Sequence, residues 1–492
     1  MSRLIVVSNR VAVPEANGKV SAGGLAVAVN AALKERSGVW FGWSGRITEQ
    51  PSDRPAVTTR NRIKYAVIDL KDSDYQEYYN GFANRVLWPI LHYRVDLAEF
   101  QRAELSGYIR VNKLFADHVS RFIQPDDVIW VHDYHMMPLA KYLRERGHQN
   151  RIGFFLHIPM PPPELIQTLP RHGEILGALS QYDLVGFQTE SDRDNFARYL
   201  VSRDGKPTSD PAMFDVGGRK VHVAAFPVGI ETEAFARRAR HAGRTDYVKG
   251  FRKSLGDRKL IIGVDRLDYS KGIPHRLEAY ETLLRTAPEW QNRVTFAQIT
   301  PKSRTEVPEY IAMDRALSHK AGQINGAFGD VAWTPLRYVN RTYSRSALAG
   351  FYRAAAVAMV TPLRDGMNLV AKEFVAAQDP ENPGVLLLSQ FAGAAAELSG
   401  GALMVNPHET EGMAAALKRA LDMPLDERRE RYGAMMAVLR RNDIDQWAET
   451  FLDALVPPAR QEASSFPSRS RTPLISMGHG AGWQGVHGPD WL

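Results

Sequence analysis

Cationic and carboxylate side chains recur at the ends of short apolar runs, the place where ligands bind in open parallel sheets. Arg266 and Lys271 flank Leu267-Asp268-Tyr269-Ser270 directly after the run Leu260 to Val264. Two fixed cations five residues apart on one loop can neutralise a diphosphate and stabilise the charge that develops as it departs. A solvated charge pair would show the same spacing. Arg10 closes Ser8-Asn9-Arg10 after Leu4 to Val7, and Arg304 follows Val294 to Ile299 and Pro301-Lys302-Ser303. The planar guanidinium fork suits phosphate.

The run Val128 to Val131 leads into His132-Asp133-Tyr134-His135, and Ile152 to Leu156 leads into His157-Ile158-Pro159. Asp133 and His157 are therefore candidates to hydrogen-bond sugar hydroxyls, while His132 fits either that role or a satisfied structural histidine. His132 and His135 lack a third ligand of clear spacing, so no metal site is expected. Ser21-Ala22-Gly23-Gly24 precedes a helical pattern from Leu25, which fits a plain turn or a phosphate seat at the positive end of a helix dipole. Neither G-x-G-x-x-G after a strand nor a Walker-type loop occurs, which disfavours a nicotinamide dehydrogenase or P-loop ATPase. No G-x-S-x-G elbow is present either. Asp72-Ser73-Asp74 has the form of a metal-binding D-x-D, but Asp74 reads as the N-cap of the helical pattern Tyr75 to Phe82.

The elements that would position these groups are legible as two series of apolar runs separated by helical patterns. The first is Leu4 to Val7, Tyr65 to Leu70, Val128 to Val131, Ile152 to Leu156, Leu184 to Phe187 and Val221 to Phe226. The second is Leu260 to Val264, Val294 to Ile299, Val357 to Val360, Val385 to Leu388 and Ala402 to Val405. The expected class is α/β, with two parallel sheets each covered on both faces. A chain of 492 residues also exceeds one ordinary core. The boundary is expected near residues 228–245, Gly205 to Gly218 reads as a surface loop, and Asp426 to Leu455 is helical with Trp447, Phe451 and Leu455 on one face. The Pro-, Ser- and Gly-rich tail from Pro457 reads as disordered.

Composition narrows the partners. Lys and Arg number 62 against 55 acidic residues, a net charge of +7, but the cations are scattered and no basic stripe interleaves with aromatics. Small phosphorylated ligands are favoured over nucleic acid. There is no Cys, hence no disulfide framework or thiolate chemistry, which fits a reducing cytoplasm. No apolar run approaches the ~20 residues that cross a bilayer, and Met1 to Arg10 lacks the pattern of a secretory leader. A soluble, cytoplasmic protein is expected.

Taken in order, the segments resemble the trehalose-6-phosphate synthase family from Leu4 to about Leu455. They are Val7-Ser8-Asn9-Arg10, Ser21-Ala22-Gly23-Gly24-Leu25, Trp40-Phe41-Gly42-Trp43, Tyr78-Tyr79-Asn80, Leu87-Trp88-Pro89 and His92-Tyr93-Arg94. Trp130 to His135, Phe155 to Pro159, Val264 to Gly272 and Thr361 to Glu373 complete the set. The resemblance implies the GT-B architecture, two Rossmann-like doubly wound domains facing across a cleft. Residues 1–235 would form the acceptor side, 236–442 the nucleotide-sugar side, 443–456 a final helix crossing back, and 457–492 a tail. It implies a retaining glucosyltransferase that moves glucose from UDP-glucose to glucose 6-phosphate in trehalose biosynthesis, without a covalent intermediate.

By the same resemblance, Arg10, Tyr79, Trp88, Asp133 and Arg304 form the glucose 6-phosphate site, with both arginines on the phosphate. Gly23, Gly24, Arg266 and Lys271 hold the donor diphosphate, and His157 and Asp365 hold hydroxyls of the transferred glucose. Gly366, Met367, Asn368, Leu369, Val370, Ala371 and Lys372 line the donor site, Glu373 binds the ribose, and Tyr343 lies beside the base. Asp365 and Glu373 have seven residues between them, a carboxylate spacing of many retaining GT-B enzymes. Trp88 and Ile158 would govern anomer selectivity. The catalytic set is Arg266, Lys271, His157 and Asp365, with no cofactor, metal, nucleic acid or membrane partner. ADP- or GDP-glucose as donor, glycerol 3-phosphate as acceptor, a silent sugar-phosphate sensor and a homo-oligomer remain open alternatives.

Overall fold

The computed structural model describes residues 3–14, 29–30, 32–33, 37–302 and 308–457. Runs that are apolar on both faces are stable where helices cover both sides of a sheet, and two sheets form. In the first lobe the strands are β1 (Leu4–Arg10), β2 (Gly38–Ile47), β3 (Ala56–Arg60), β4 (Ile63–Leu70) and β5 (Val128–His132). They continue with β6 (Ile152–Phe155), β7 (Leu184–Phe187), β8 (Lys206–Pro207), β9 (Met213–Val216) and β10 (Arg219–Ala225). Their order is β3-β4-β2-β1-β5-β6-β7-β10-β9-β8. The pairings are parallel except at the margins, where β3–β4, β9–β10 and β8–β9 are antiparallel.

The second lobe contains β11 (Lys259–Val264), β12 (Val294–Ile299), β13 (Leu336–Val339), β14 (Val357–Val360), β15 (Val385–Ser389) and β16 (Leu403–Val405). Its order is β13-β12-β11-β14-β15-β16, parallel at every pairing. In each sheet the chain order reverses beside the first strand: β1 sits between β2 and β5, and β11 between β12 and β14. Helices on either side of such a reversal diverge, so a crevice opens at the carboxyl ends of those strands. Arg10 and Asp133 end up at the first crevice; the loops after β11 and β14, from Asp265 and Thr361 onward, end up at the second.

Several elements differ from the sequence expectation. β2 has no clean alternation and carries glycines that resemble turn signals. Those glycines instead admit a close neighbour strand: a Cβ on Gly38 would lie 2.2 Å from the Leu4 carbonyl oxygen, and one on Gly42 would lie 2.2 Å from that of Ser8. The segment Gly205 to Gly218, expected to be a loop, contains the β8–β9 pair and buries Phe214. Asp74 is not an N-cap. It lies inside the helical stretch with φ −68° and receives a 2.8 Å hydrogen bond from Arg110 Nε, and Tyr75–Leu87 continues as a π-type helix.

The helical pattern at the end is two helices, Leu425–Arg441 and Ile444–Leu455. Asp443 starts the second by accepting the amides of Asp445 and Gln446 at 3.1 and 3.0 Å. This last helix returns to the first-lobe sheet. Phe451 stacks on Trp130 at 4.5 Å between ring centroids. Its seat is cut by Gly153 on β6 and Gly186 on β7, where any Cβ would lie 2.8 Å from the Phe451 ring. Truncation there leaves a cavity the two strands cannot close. Phe451→Ala is expected to lower the unfolding free energy by about 3–5 kcal/mol in a urea titration; a loss below about 1 kcal/mol would show the seat to be collapsible.

Candidate functional site

The first crevice has a continuous aromatic wall. The Arg10 guanidinium lies 5.8 Å over the Trp43 ring and against Gly45, whose φ of +88° and missing Cβ make room for it. Trp43 touches Tyr79 at 5.8 Å, and Tyr79 lies between Tyr75 (5.5 Å) and His135 (5.8 Å, interplanar 10°). His135 meets Tyr134, which meets Trp88 at 5.6 Å. The π-type helix sets this spacing. Asn84 Nδ2 donates to the Tyr79 carbonyl five residues back at 2.7 Å, while its Oδ1 accepts from the Tyr134 hydroxyl. Asp133 follows β5 with φ +75°, a conformation disfavoured for an L-residue. Its amide donates to Phe155 O at 2.8 Å, and its carboxylate accepts the His157 amide at 3.3 Å. Arg10, Tyr79, Trp88 and Asp133 are thus brought to one wall.

Beyond β6, His157 Nε2 lies 3.1 Å from His132 Nδ1. Burial pushes both imidazoles down, that of His157 to about 3, so the pair is neutral and one ring donates while the other accepts. Since buried bare acceptors are tolerated better than orphaned N–H groups, and His132 Nε2 has no partner, we assign the shared proton to His132 Nδ1. That assignment leaves His157 protonated on Nδ1, as a donor. Trp447 of the last helix backs the pair, 6.4 Å from His132 and 6.1 Å from His157.

Two loops line the second crevice. After β11, Asp268 accepts the Ser270 amide and hydroxyl at 3.0 and 2.9 Å, and Gly272 turns the chain with φ +64° into the helix Ile273–Thr286. A Cβ on Gly272 would lie 2.4 Å from the Thr361 carbonyl oxygen, so the two loops touch there. Lys271 Nζ donates to Asp365 Oδ2 at 2.6 Å, and Asn368 Nδ2 donates to the same oxygen at 3.0 Å. Asn368, at φ +79°, also accepts the Ala371 amide at the start of the helix Leu369–Ala377. The first amides of that helix have no intrahelical acceptor, which makes its N-terminus suited to an anion. Arg266 is exposed and lies 5.9 Å over the Trp88 ring of the first lobe.

The lobes meet closely here. A Cβ on Gly366 would fall 2.4 Å from His157 O and 2.9 Å from Ile158 Cα, so only glycine lets the Asp365 loop reach the His157 loop. Glu373 faces Arg345 Nε at 3.4 Å; burial pushes its carboxyl up against the pull of that guanidinium. Tyr343 packs edge-on against Phe351 at 5.3 Å, two residues before Arg345.

Some expected ligands do not face the cleft. Ala371 is fully buried, and Lys372, also fully buried, donates from Nζ to Val228 O at 2.8 Å and to the Glu397 carboxylate. A side-chain contact between Lys372 and a nucleotide sugar does not fit this arrangement; its ammonium is committed to the crossover between lobes. Gly23, Gly24 and Arg304 lie outside the described residues. Among the described residues, no three His, Asp or Glu side chains are grouped to hold a metal ion.

Sequence reasoning missed Arg276. It is fully buried beneath both loops and donates to Asp265 Oδ2 at 2.7 Å, Gln298 Oε1 at 3.0 Å, Thr361 Oγ1 at 3.2 Å and Lys271 O at 3.3 Å. Its signal was present as an arginine on the apolar face of a helix, ten residues beyond Arg266.

Two α/β lobes, each with a switch-point crevice and joined by a helix that crosses back, define a GT-B glycosyltransferase. The family model described as glycosyltransferase family 20 matches residues 2–456; the chain belongs to that family. It is 53% identical over 457 residues to trehalose-6-phosphate synthase of Sinorhizobium fredii, covering 92% of this chain and 98% of the relative. A UDP-forming α,α-trehalose-phosphate synthase from Burkholderia xenovorans, solved in complex with glucose 6-phosphate, superposes with a TM-score of 0.88 at 48% identity, covering 92% and 100% of the chains. The structure from E. coli bound with UDP-2-fluoro glucose gives 0.87 at 47% identity, covering 92% and 99%.

Arg276→Met leaves Asp265 buried without its cation, and a loss of about 3–5 kcal/mol in urea-measured stability is expected; a loss within about 1 kcal/mol would remove Arg276 from its anchoring role. The neutral histidines give a pH signature. Above the ordinary value of 6.5 they are uncharged folded and unfolded, and their contribution is complete; below it the unfolded chain binds protons that folded His157 refuses until about 3. Stability should therefore fall as pH drops from about 7 to about 5, and His157→Asn should make that fall shallower by as much as one proton. Equal urea-midpoint slopes for the two proteins would contradict a neutral His157.

Proposed function

We propose that the chain transfers the glucosyl group of UDP-glucose to the anomeric hydroxyl of glucose 6-phosphate, giving α,α-trehalose 6-phosphate and UDP with retention. The observation that carries this reading is the Lys271–Asp365–Asn368 cluster at one switch-point crevice, abutting the wall of Arg10, Tyr79, Asp133 and Trp88 at the other. The names of the relatives support the donor and acceptor. An aromatic wall with one carboxylate and one arginine suits a phosphorylated hexose, whose ring can lie on Tyr79 and Trp88 while Asp133 accepts its hydroxyls. Glycerol 3-phosphate has no ring for that wall to hold.

In this scheme Arg266 and Lys271 bind the diphosphate together with the amides opening the helix Leu369–Ala377. Asp365 and His157 hold hydroxyls of the donor glucose, His157 donating as a neutral imidazole. The bond from the glucosyl C1 to the diphosphate oxygen breaks, and the acceptor's anomeric oxygen bonds to C1 on the same face. The acceptor's hydroxyl proton passes to a diphosphate oxygen, and the electron pair of the broken bond stays on UDP. Lys271 starts paired with Asp365, so diphosphate binding would draw it from the carboxylate and leave Asp365 free to accept sugar hydroxyls. The cysteine-free composition is in keeping with a cytoplasmic setting.

One assay tests the reading: nucleotide release from UDP-, ADP- and GDP-glucose with glucose 6-phosphate or glycerol 3-phosphate, with product identification. Trehalose 6-phosphate from UDP-glucose is expected; no non-reducing disaccharide phosphate from any pair would sink it. Removing one well-placed donor to a leaving group costs about 10²–10³ in turnover. Lys271→Ala should lower kcat by about that factor while the KM for glucose 6-phosphate moves only a few-fold, and an unchanged kcat would count against its role on the diphosphate.

A further inference from the structure

Arg364, the residue before Asp365, reaches out of the second lobe into a socket on the first. Its guanidinium lies 4.1 Å over the Tyr93 ring and donates to the Tyr93 hydroxyl at 2.6 Å. Tyr93 is the terminal residue of a short helical turn and holds φ +65°, a position where glycine or asparagine is favoured. Its amide and that of Arg94 close the turn onto Ile90 O and Pro89 O at 3.0 and 2.8 Å. A tyrosine kept in a conformation that disfavours it implies that its side chain is what the position needs.

The floor of the socket is Asp192 and Asn195, both buried. Asn195 Nδ2 approaches the Tyr93 hydroxyl at 3.4 Å and donates to Met160 O at 2.7 Å; the Asp192 carboxylate accepts the Met160 amide at 2.8 Å. Both main-chain groups of Met160 are therefore fixed by the socket, and Met160 lies on the same loop as His157, between β6 and the helix Pro163–Ile166. Arg364 plugs that socket from the opposite lobe, and two residues further on Gly366 packs against His157 O.

Resting on the transfer reading above, we propose that Arg364 is a positioning residue: seated on Tyr93, it docks the Asp365 loop onto the His157 loop and so fixes the two groups that hold the transferred sugar from opposite lobes. A cation over an aromatic ring suits this task, because the contact forms on lobe closure without a direct salt bridge, the buried Asp192 carboxylate acting on Arg364 only through its longer-range field. Misplacing a substrate-holding group by about 1 Å can lower turnover about 100-fold. The expected failure is accordingly in the rate and in the exclusion of water, with the fold intact.

Arg364→Met, Arg364→Lys and Tyr93→Asn are compared with the wild type in thermal unfolding, in transfer and donor hydrolysis, and in amide exchange without substrates. Arg364→Met is expected to unfold near the wild-type temperature, to lose about 10- to 100-fold in transfer kcat, and to divert a larger share of UDP-glucose to water. Arg364→Lys, which keeps a cation over the ring, should recover part of the loss. Faster exchange is expected at the Met160 amide, at the Asp365 amide, which donates to Phe391 O at 3.2 Å, and at the Gly393 amide, which donates to Asp365 O at 3.1 Å, whether or not the sugar chemistry has been assigned correctly. A folded Arg364→Met with wild-type exchange at those amides overturns the proposal, as does an unchanged ratio of hydrolysis to transfer. Should Arg364→Met fail to fold, Tyr93→Asn, which suits the positive φ and removes the ring, decides by the same two readouts. A wild type that makes no disaccharide phosphate refutes the transfer reading instead, and the exchange result still judges the docking.

Discussion

A guanidinium with no access to water holds the second lobe's chemistry in place. Arg276 gathers the ends of β11, β12 and β14 through Asp265, Gln298 and Thr361, and fastens the Lys271 carbonyl above them. Taking two charges out of water is costly, and such a pair is tolerated only when its remaining hydrogen bonds are met; here four acceptors surround one fork. The strand next to it makes room for that fork: a Cβ on Gly263 would fall 2.6 Å from Arg276 Nη1 and 2.3 Å from Gln298 Oε1. From this anchor the Lys271 loop and the Thr361 loop inherit a fixed separation, so Lys271 and Asp365 meet without either side chain searching.

The chain passes between the lobes twice, and both crossings are tied to the helix that follows Asn368. Lys372 grips Val228 O in the outward crossing, and Glu397, its partner, accepts Asn442 Nδ2 at 2.9 Å in the return. The crossings also touch each other, since a Cβ on Gly229 would lie 2.3 Å from the Asp443 carbonyl carbon, and Ile444 donates its amide to Ile230 O. A lysine in the middle of a donor-side motif thus acts behind the site. The two crossings are thereby in direct contact with the helix whose N-terminus faces the cleft.

Much of this was legible because strand ends carry the chemistry: Arg10, Asp133, His157 and Lys271 each stand beyond an apolar run, and the run is what the sequence displays. Asp74 misled because an acidic residue before an aromatic helical pattern has the composition of a cap, and only Arg110, 36 residues away, reveals its pairing. β2 was missed because glycine carries two meanings, a turn or a close neighbour, that spacing does not separate. Lys372 and Arg276 were opaque for a further reason. A long cationic side chain reads as exposed until tertiary structure supplies acceptors, and those acceptors are carbonyls and carboxylates from distant segments.

The way each cation is held separates those that face the cleft from those that build. Arg276 and Lys372 are neutralised by carboxylates and stay where they are. Arg10 and Arg266 rest on Trp43 and Trp88, and among the described residues neither pairs with a carboxylate. A ring face orients a guanidinium through its quadrupole for about 0.5–1 kcal/mol yet leaves the full positive charge and the in-plane N–H groups unspent. An arginine locked in a salt bridge would have to break it before meeting a phosphate; one laid on an indole has nothing of comparable strength to give up. Lys271 is the exception, held by Asp365 at 2.6 Å. The aromatic rings around the cleft therefore orient guanidinium groups without pairing off their charge.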